Sequence, residues 1–197
     1  MIVGGLDLSL TSTGLALIAD GKLHTAAFRT KARKPSEDRE LFVYQRQELI
    51  LAEVLGYLKS CDVVAVEDLV WHAKGSAIFD LAGLRAIVTL EMHRTGLTMV
   101  HVNQTLVKAY ATGNGNADKQ LVYRAALQRL PVNDLRAAMT TTDEADSAWL
   151  AQMAADHYGC PLITMPKANR ERMYATATSG KRKGLPVIGW PELSEGK

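Results

Sequence analysis

Four acidic residues, Asp7, Glu67, Asp143 and Asp146, sit where a carboxylate is costly unless it binds something. Asp7 interrupts an apolar opening run, Ile2-Val3-Gly4-Gly5-Leu6-Asp7-Leu8, and Glu67 ends a second one, Val63-Val64-Ala65-Val66-Glu67. Asp143 and Asp146 stand one helical turn apart at the start of an Ala-rich segment, so both can face the same point. A charge at the edge of a packed core needs a counter-charge or a metal. Four converging acids with few cations nearby repel one another, and a divalent ion removes that repulsion. Hard oxygen ligands without a His/Cys cluster favour Mg²⁺, with Mn²⁺ as a substitute, over zinc. Two such ions per site, about 3.5–4 Å apart, can clamp a phosphodiester, one activating water and the other stabilising the leaving 3′ oxygen. Each acid also has a plainer explanation. Asp7 could cap a turn, Glu67 could be a strand-end surface charge, and Asp143 and Asp146 suit a helix start because of the helix dipole. The four together, each on the right kind of element, favour a metal-dependent nuclease centre.

The elements that must position these acids follow from pattern. Residues 2–9 read as a strand, Thr11-Ser12-Thr13-Gly14 as a turn, and Leu15 to Ala19 as a second strand. Asp20-Gly21 is a two-residue hairpin signal leading into a third strand, Lys22 to Phe28. Residues 40–59 carry the helical stripe Leu51, Val54, Leu55, Leu58. Asp62 to Glu67 is apolar enough to be a central strand. A loop over 70–75 leads to Ser76, which caps a long helix ending near Gly96. Leu97 to Val102 is the fifth strand, followed by helices over about 104–111 and 118–130. Thr141 with Glu144 fits a capping box that opens a helix to about Tyr158, with Gly159 and Pro161 as stops. Three antiparallel strands, then two further strands alternating with helices, define an α/β chain: a five-stranded mixed sheet flanked by helices. Residues 1–160 are expected to form one domain, and 161–197 a basic, partly ordered extension.

Composition is that of an ordinary globular chain of 197 residues, 47% hydrophobic and 22% charged, with room for one sizeable core. No apolar run reaches the roughly 18 residues that span a membrane, and no secretory signal pattern is visible. Cys61 and Cys160 form no spaced motif. A cytoplasmic protein is expected. The net charge of +2 is small, but basic residues cluster over Arg29–Arg39 and over Lys167–Lys183. The second cluster, Lys167, Arg170, Arg172, Lys181, Arg182 and Lys183, suits a phosphate-binding arm, although a solubilising tail is the plainer reading.

The ordered set of these pieces resembles the RuvC Holliday-junction resolvases, which have the RNase H-like fold. The likeness runs from about Ile2 to Tyr158. It rests on the strand with Asp7 followed by Ser9 and Gly14, on Val64-Ala65-Val66-Glu67, on Ala73-Lys74-Gly75-Ser76, on the Gly113-to-Lys119 segment, and on Asp143-Glu144-Ala145-Asp146-Ser147. The resemblance implies a homodimer that makes paired nicks in branched DNA: four-way junctions, with forks and flaps as further substrates. It implies Mg²⁺ bound by Asp7, Glu67, Asp143 and Asp146, and Lys119 as a basic residue near the scissile phosphate. Contact with DNA is then expected from Ser9, from Trp71, His72 and Lys74 in the 70–75 loop, from Lys119, and from the basic tail. Trp71 is the candidate for stacking on an opened base. The long helix over 76–95 is the expected dimer contact, because Ile78, Leu81, Leu84, Ile87, Val88 and Met92 exceed what one face against a sheet requires. The chain departs from the family where Asp-Pro-Gly-Ser is replaced by Asp7-Leu8-Ser9-Leu10, which leaves the first turn open. The tail beyond Met165 lies outside the usual bacterial pattern and looks like that of a bacteriophage member.

Three other readings compete. Asp7-x-Ser9-x-x-x-Thr13-Gly14 resembles the first phosphate loop of actin and sugar-kinase proteins, but those need a second such domain. A non-catalytic junction binder would have no use for a repulsive acidic pocket. An RNA-processing nuclease of the same fold remains compatible with the residues.

Overall fold

The computed structural model describes residues 1–68, 77–131, 139–176 and 183–193. Its centre is a five-stranded sheet in the order β3-β2-β1-β4-β5. The strands are β1 (Val3–Asp7), β2 (Ser12–Ala19), β3 (Lys22–Arg29), β4 (Val63–Glu67) and β5 (Thr98–Val102). The first three form an antiparallel meander, and β4 and β5 continue parallel to β1. Asp20 and Gly21 both take positive φ, 50° and 69°, the tight two-residue turn that their identities announced. The mixed sheet expected from the sequence is therefore present, and β1 and β4 are direct neighbours.

Alternation along the strands sorts side chains to the two faces. On one face Leu6, Leu15, Val64 and Val66 pack against α1 (Arg39–Leu58) and α2 (Ala77–Arg94) through Ile50, Val54, Leu58, Leu84, Val88 and Met92. On the other face Val3, Ala16, Ile18, Val63 and Ala65 pack against α3 (Gln104–Thr112), α4 (Lys119–Arg129) and α5 (Thr142–His157). Trp149, fully buried on α5, donates from its indole to the Val122 carbonyl at 3.2 Å and so ties α5 to α4. Among the described residues no helix is long and apolar enough to cross a membrane.

The chain after Gly159 also enters the core. Met165, Met173 and Ile188 are buried in the same cluster as Trp149. A short helix, α6 (Lys167–Glu171), presents Arg170 to the buried Asp156 at 2.9 Å, while the Tyr110 hydroxyl donates to the same carboxylate at 2.9 Å. Asn169 donates to the Tyr110 carbonyl at 2.7 Å. A buried carboxylate with two such partners holds the segment in one register, because leaving Asp156 unpaired would cost several kcal/mol. His157 stacks on Trp190 at 4.3 Å between ring centroids, fastening the far end of the same segment.

Candidate active site

The site lies where β1 and β4 end. Asp7 is the last residue of β1 and Glu67 the last of β4. Their parallel register, with Leu6 opposite Val66, places the two acids side by side at the carboxyl edge of the sheet. Both follow the parity of Val3, Gly5, Val63 and Ala65, so both project toward the α5 face.

Two glycines bring α5 down onto that face. A Cβ built on Gly5 would lie 1.9 Å from the Ser147 carbonyl oxygen and 2.8 Å from the Ala151 nitrogen. A Cβ on Gly14, which pairs with Asp7 across the ladder, would lie 2.0 Å from the Asp143 carbonyl oxygen. The backbone of α5 thus rests directly on the backbone of β1 and β2. This close approach sets Asp143 and Asp146 over the end of β1. The helix start is fixed by the expected capping box: the Thr141 hydroxyl accepts from the Glu144 amide, and Glu144 accepts from the Thr141 amide. Glu144 also accepts from both the amide and hydroxyl of Thr140 and from the Thr25 hydroxyl, which pins the helix start to β3.

The acids act on one another. Burial, followed by the charge of Asp146, raises Asp7 to about 7. Burial, followed by the charges of Asp7 and Asp146, raises Glu67 to about 8. Asp146 is raised to about 6, again by burial first and then by Asp143, against the opposing pull of Lys119. Lys119, the first residue of α4, reaches Asp143 at 3.5 Å and Asp146 at 3.7 Å. Burial alone would lower its pKa, but the charges of Asp146, Asp7, Asp143 and Glu67 together raise it. A second cation was not foreseen. Lys108, on α3, lies close enough to lower both Glu67 and Asp146. Its only sequence signal was a lone lysine on a helix flanked by the buried Val107 and Ala109, which is a weak one.

Two cations thus flank the cluster: Lys119, expected there, and Lys108, which was not. Among the described residues, no group of three or more Asp, Glu, His or Cys stands close enough together to hold an ion as it is. The donor set nevertheless fits a hard divalent cation. Among the described residues, the charged groups acting on Asp7, Glu67 and Asp146 are carboxylates and two lysines.

The other expected contacts fare differently. Ser9 sits in the turn just past Asp7, its amide 3.3 Å from the Thr13 hydroxyl, which donates back to the Ser9 carbonyl at 2.8 Å. Lys167 is solvent-exposed and 3.8 Å from Glu171. Arg170 stays exposed but spends its charge on the buried Asp156. Arg172 begins a 3-10 turn, and Lys183 is exposed. Trp71, His72, Lys74, Lys181 and Arg182, and with them the Ser76 cap, lie outside the described residues.

A five-stranded mixed sheet in the order β3-β2-β1-β4-β5, with acids at the carboxyl ends of β1 and β4 and two more at the start of a helix laid across them, has the architecture of the RNase H-like fold. Residues 2–153 match the family model of "Crossover junction endodeoxyribonuclease RuvC". The chain belongs to that family. It is 30% identical over 157 residues to the crossover junction endodeoxyribonuclease RuvC of Mycobacterium ulcerans, a match that covers 77% of this chain and 81% of that one. The structure of Thermus thermophilus RuvC superposes with a TM-score of 0.61 at 22% identity, covering 81% of this chain and 98% of the other. The same protein in complex with a Holliday junction substrate gives a TM-score of 0.61 at 20% identity and the same coverage.

The raised acids make stability depend on pH in a defined direction. Unfolded carboxylates ionise near about 4. Asp7, Glu67 and Asp146 resist ionisation in the fold until about 7, 8 and 6. Between these limits the folded state binds more protons than the unfolded one, so stability falls as pH rises toward 8. Thermal melts in EDTA are expected to show that fall between pH 6 and 8. Mn²⁺ or Mg²⁺ should reverse it more at pH 8 than at pH 6. Melting temperatures insensitive to divalent cations at pH 8 would contradict the coupling.

Proposed function

We propose that this chain is a metal-dependent, structure-selective DNA endonuclease that resolves Holliday junctions, and cuts other branched DNA, by paired hydrolysis of phosphodiesters. The observation that carries the reading is the convergence of Asp7, Glu67, Asp143 and Asp146 at one sheet edge with Lys119 and Lys108 beside them. Two Mg²⁺ ions held by the four carboxylates would supply an activated water and neutralise the charge developing on the leaving oxygen. The protein's own residues do the rest. Asp7 and Glu67 hold one side of the centre from rigid strands, and Asp143 and Asp146 hold the other from the capped start of α5. Lys119 exchanges its acidic partners for the scissile phosphate as the substrate enters. Lys108 offsets the remaining negative charge next to Glu67. Ser9 and the exposed lysines of the C-terminal segment bear on the flanking phosphates, a contact that should weaken steeply with salt.

Paired cutting of a near two-fold junction calls for two sites related by the same symmetry, hence a homodimer. Its contact is the outer surface of α1 and α2. Phe79, Ile87 and Leu90 remain exposed there, at 77%, 38% and 48%, next to a cleft lined by Tyr44, Gln47, Leu51 and Ile87. Leu84, Val88 and Met92, expected to share in the dimer contact, are buried against the sheet instead. We place the protein in the bacterial cytoplasm.

The deciding experiment is incubation of the purified protein with labelled four-way junctions, forks, flaps and duplexes, in Mg²⁺ or EDTA. Matched nicks on opposed strands of the junction, dependent on metal, are expected. Nicking of duplex and junction alike would reduce the protein to a general nuclease. In sedimentation at micromolar concentration the chain should run as a dimer, and Ile87→Glu should produce a monomer that loses paired cuts. A wild-type monomer that still cuts both strands together would rule out the dimer.

A further inference from the structure

Arg85 has contacts that neither the fold nor the acid cluster requires. It lies on α2, and its side chain is only 14% exposed. From there the guanidinium donates to three groups on the edge of the sheet. It reaches the backbone carbonyl oxygen of Glu67 at 2.6 Å, the Asp68 carboxylate at 2.9 Å, and Nδ1 of His101 on β5 at 2.7 Å. Balancing its charge needs Asp68 alone. The bond to Glu67 is of a different kind, because it fixes the peptide group of the acid whose carboxylate enters the site on the opposite face. Only a planar fork can satisfy a carbonyl, a carboxylate and an imidazole at once, and an ammonium cannot span the three.

The position matters because β4 ends here. The Asp68 amide, one residue past the end of β4, donates to the Val102 carbonyl at 2.8 Å. A carboxylate at a strand's final residue is only as well placed as that terminal peptide. We propose that Arg85 is a positioning residue for the nuclease centre, a clamp that sets the Glu67 backbone and through it the approach of the Glu67 carboxylate to Asp7. The inference rests on the nuclease reading above and adds to it a residue that never touches substrate. The exposed face of the same helix carries Phe79, Ile87 and Leu90, so the clamp also joins the proposed dimer surface to the site.

The test uses Arg85→Gln and Arg85→Lys beside wild type and Glu67→Gln. Mn²⁺ binding to the protein without DNA is measured by calorimetry. Junction binding is measured in EDTA, and single-turnover cleavage is followed as Mn²⁺ is titrated. Groups that orient a metal-binding residue typically contribute about 10- to 100-fold in metal affinity or rate. Arg85→Gln should therefore weaken Mn²⁺ binding and cleavage in that range with junction binding intact, and Arg85→Lys should recover part of the loss. In a Glu67→Gln background, adding Arg85→Gln should change Mn²⁺ affinity no further, since the clamp acts through that residue. An Arg85→Gln protein that binds Mn²⁺ as wild type does would overturn the proposal. If that variant fails to fold, Arg85→Lys decides by the same readout. A wild type that binds Mn²⁺ but cuts no branched DNA would sink the nuclease reading, while a Mn²⁺ defect in the Arg85 variants would still support the clamp.

Discussion

Asp7→Asn is expected to stop cleavage and at the same time to stabilise the metal-free protein. The two effects have one cause. Burial and the charge of Asp146 hold the Asp7 carboxyl up at about 7, so its ionised form is unfavourable in the fold unless a cation is present. On the proposed reading, removing the charge removes a metal ligand, and with it a rate factor on the order of 10² to 10³. It also removes repulsion from Glu67 and Asp146, which in EDTA near pH 8 should raise stability by roughly 1–3 kcal/mol, a shift of several degrees in melting temperature. Glu67→Gln should behave alike, because Glu67 is raised to about 8 by burial and the charge of Asp7. Junction binding should survive both changes, since phosphate contacts need cations rather than these acids. Cleavage assays, gel shifts and melts in EDTA check the three parts together. A variant that cleaves normally removes that residue from the site. A variant that melts lower in EDTA shows that its carboxylate is structural.

The second large effect is expected from glycines that carry no chemistry. In Gly5→Ala the new methyl would meet the Ser147 carbonyl oxygen at 1.9 Å, and in Gly14→Ala it would meet the Asp143 carbonyl oxygen at 2.0 Å. Both obstacles are backbone, so α5 must move. Overpacking of this kind costs roughly 1–3 kcal/mol or more. Displacing Asp143 and Asp146 by about 1 Å should cost a further 10²-fold or so in rate. Gly4→Ala is the control. Its methyl would point to the other face and meet side-chain atoms of Cys61, Leu58 and Val64 at 3.0 Å, far from the acids. It should lower the melting temperature while the folded protein keeps its cleavage rate. Equal rate losses at Gly4 and Gly5, measured on folded protein, would show that the seating of α5 does not set the site.

The four acids stood out in the sequence because each broke a local pattern: a charge inside or at the end of an apolar run, or a pair spaced by one helical turn. Such violations are local and survive without a structure. The hairpin at Asp20-Gly21 and the capping box at Thr141 and Glu144 were legible for the same reason, since each is a contract between residues close in the chain. The tertiary structure decided what depends on distant residues. Gly4 and Gly5 are indistinguishable in the sequence, and only the register of β1 shows that Gly5 faces α5 while Gly4 faces α1. Lys108 is one lysine among many until α3 is placed beside Glu67. Arg170 reads as part of a basic run, yet the packing of α6 turns it onto the buried Asp156. Met165, Met173 and Ile188 are single apolar residues without periodicity, so nothing in their spacing announces that they share a core with Trp149. Local order is written in residues a few positions apart. Which face a side chain takes, and which distant charge it meets, is settled only when the sheet and its helices pack.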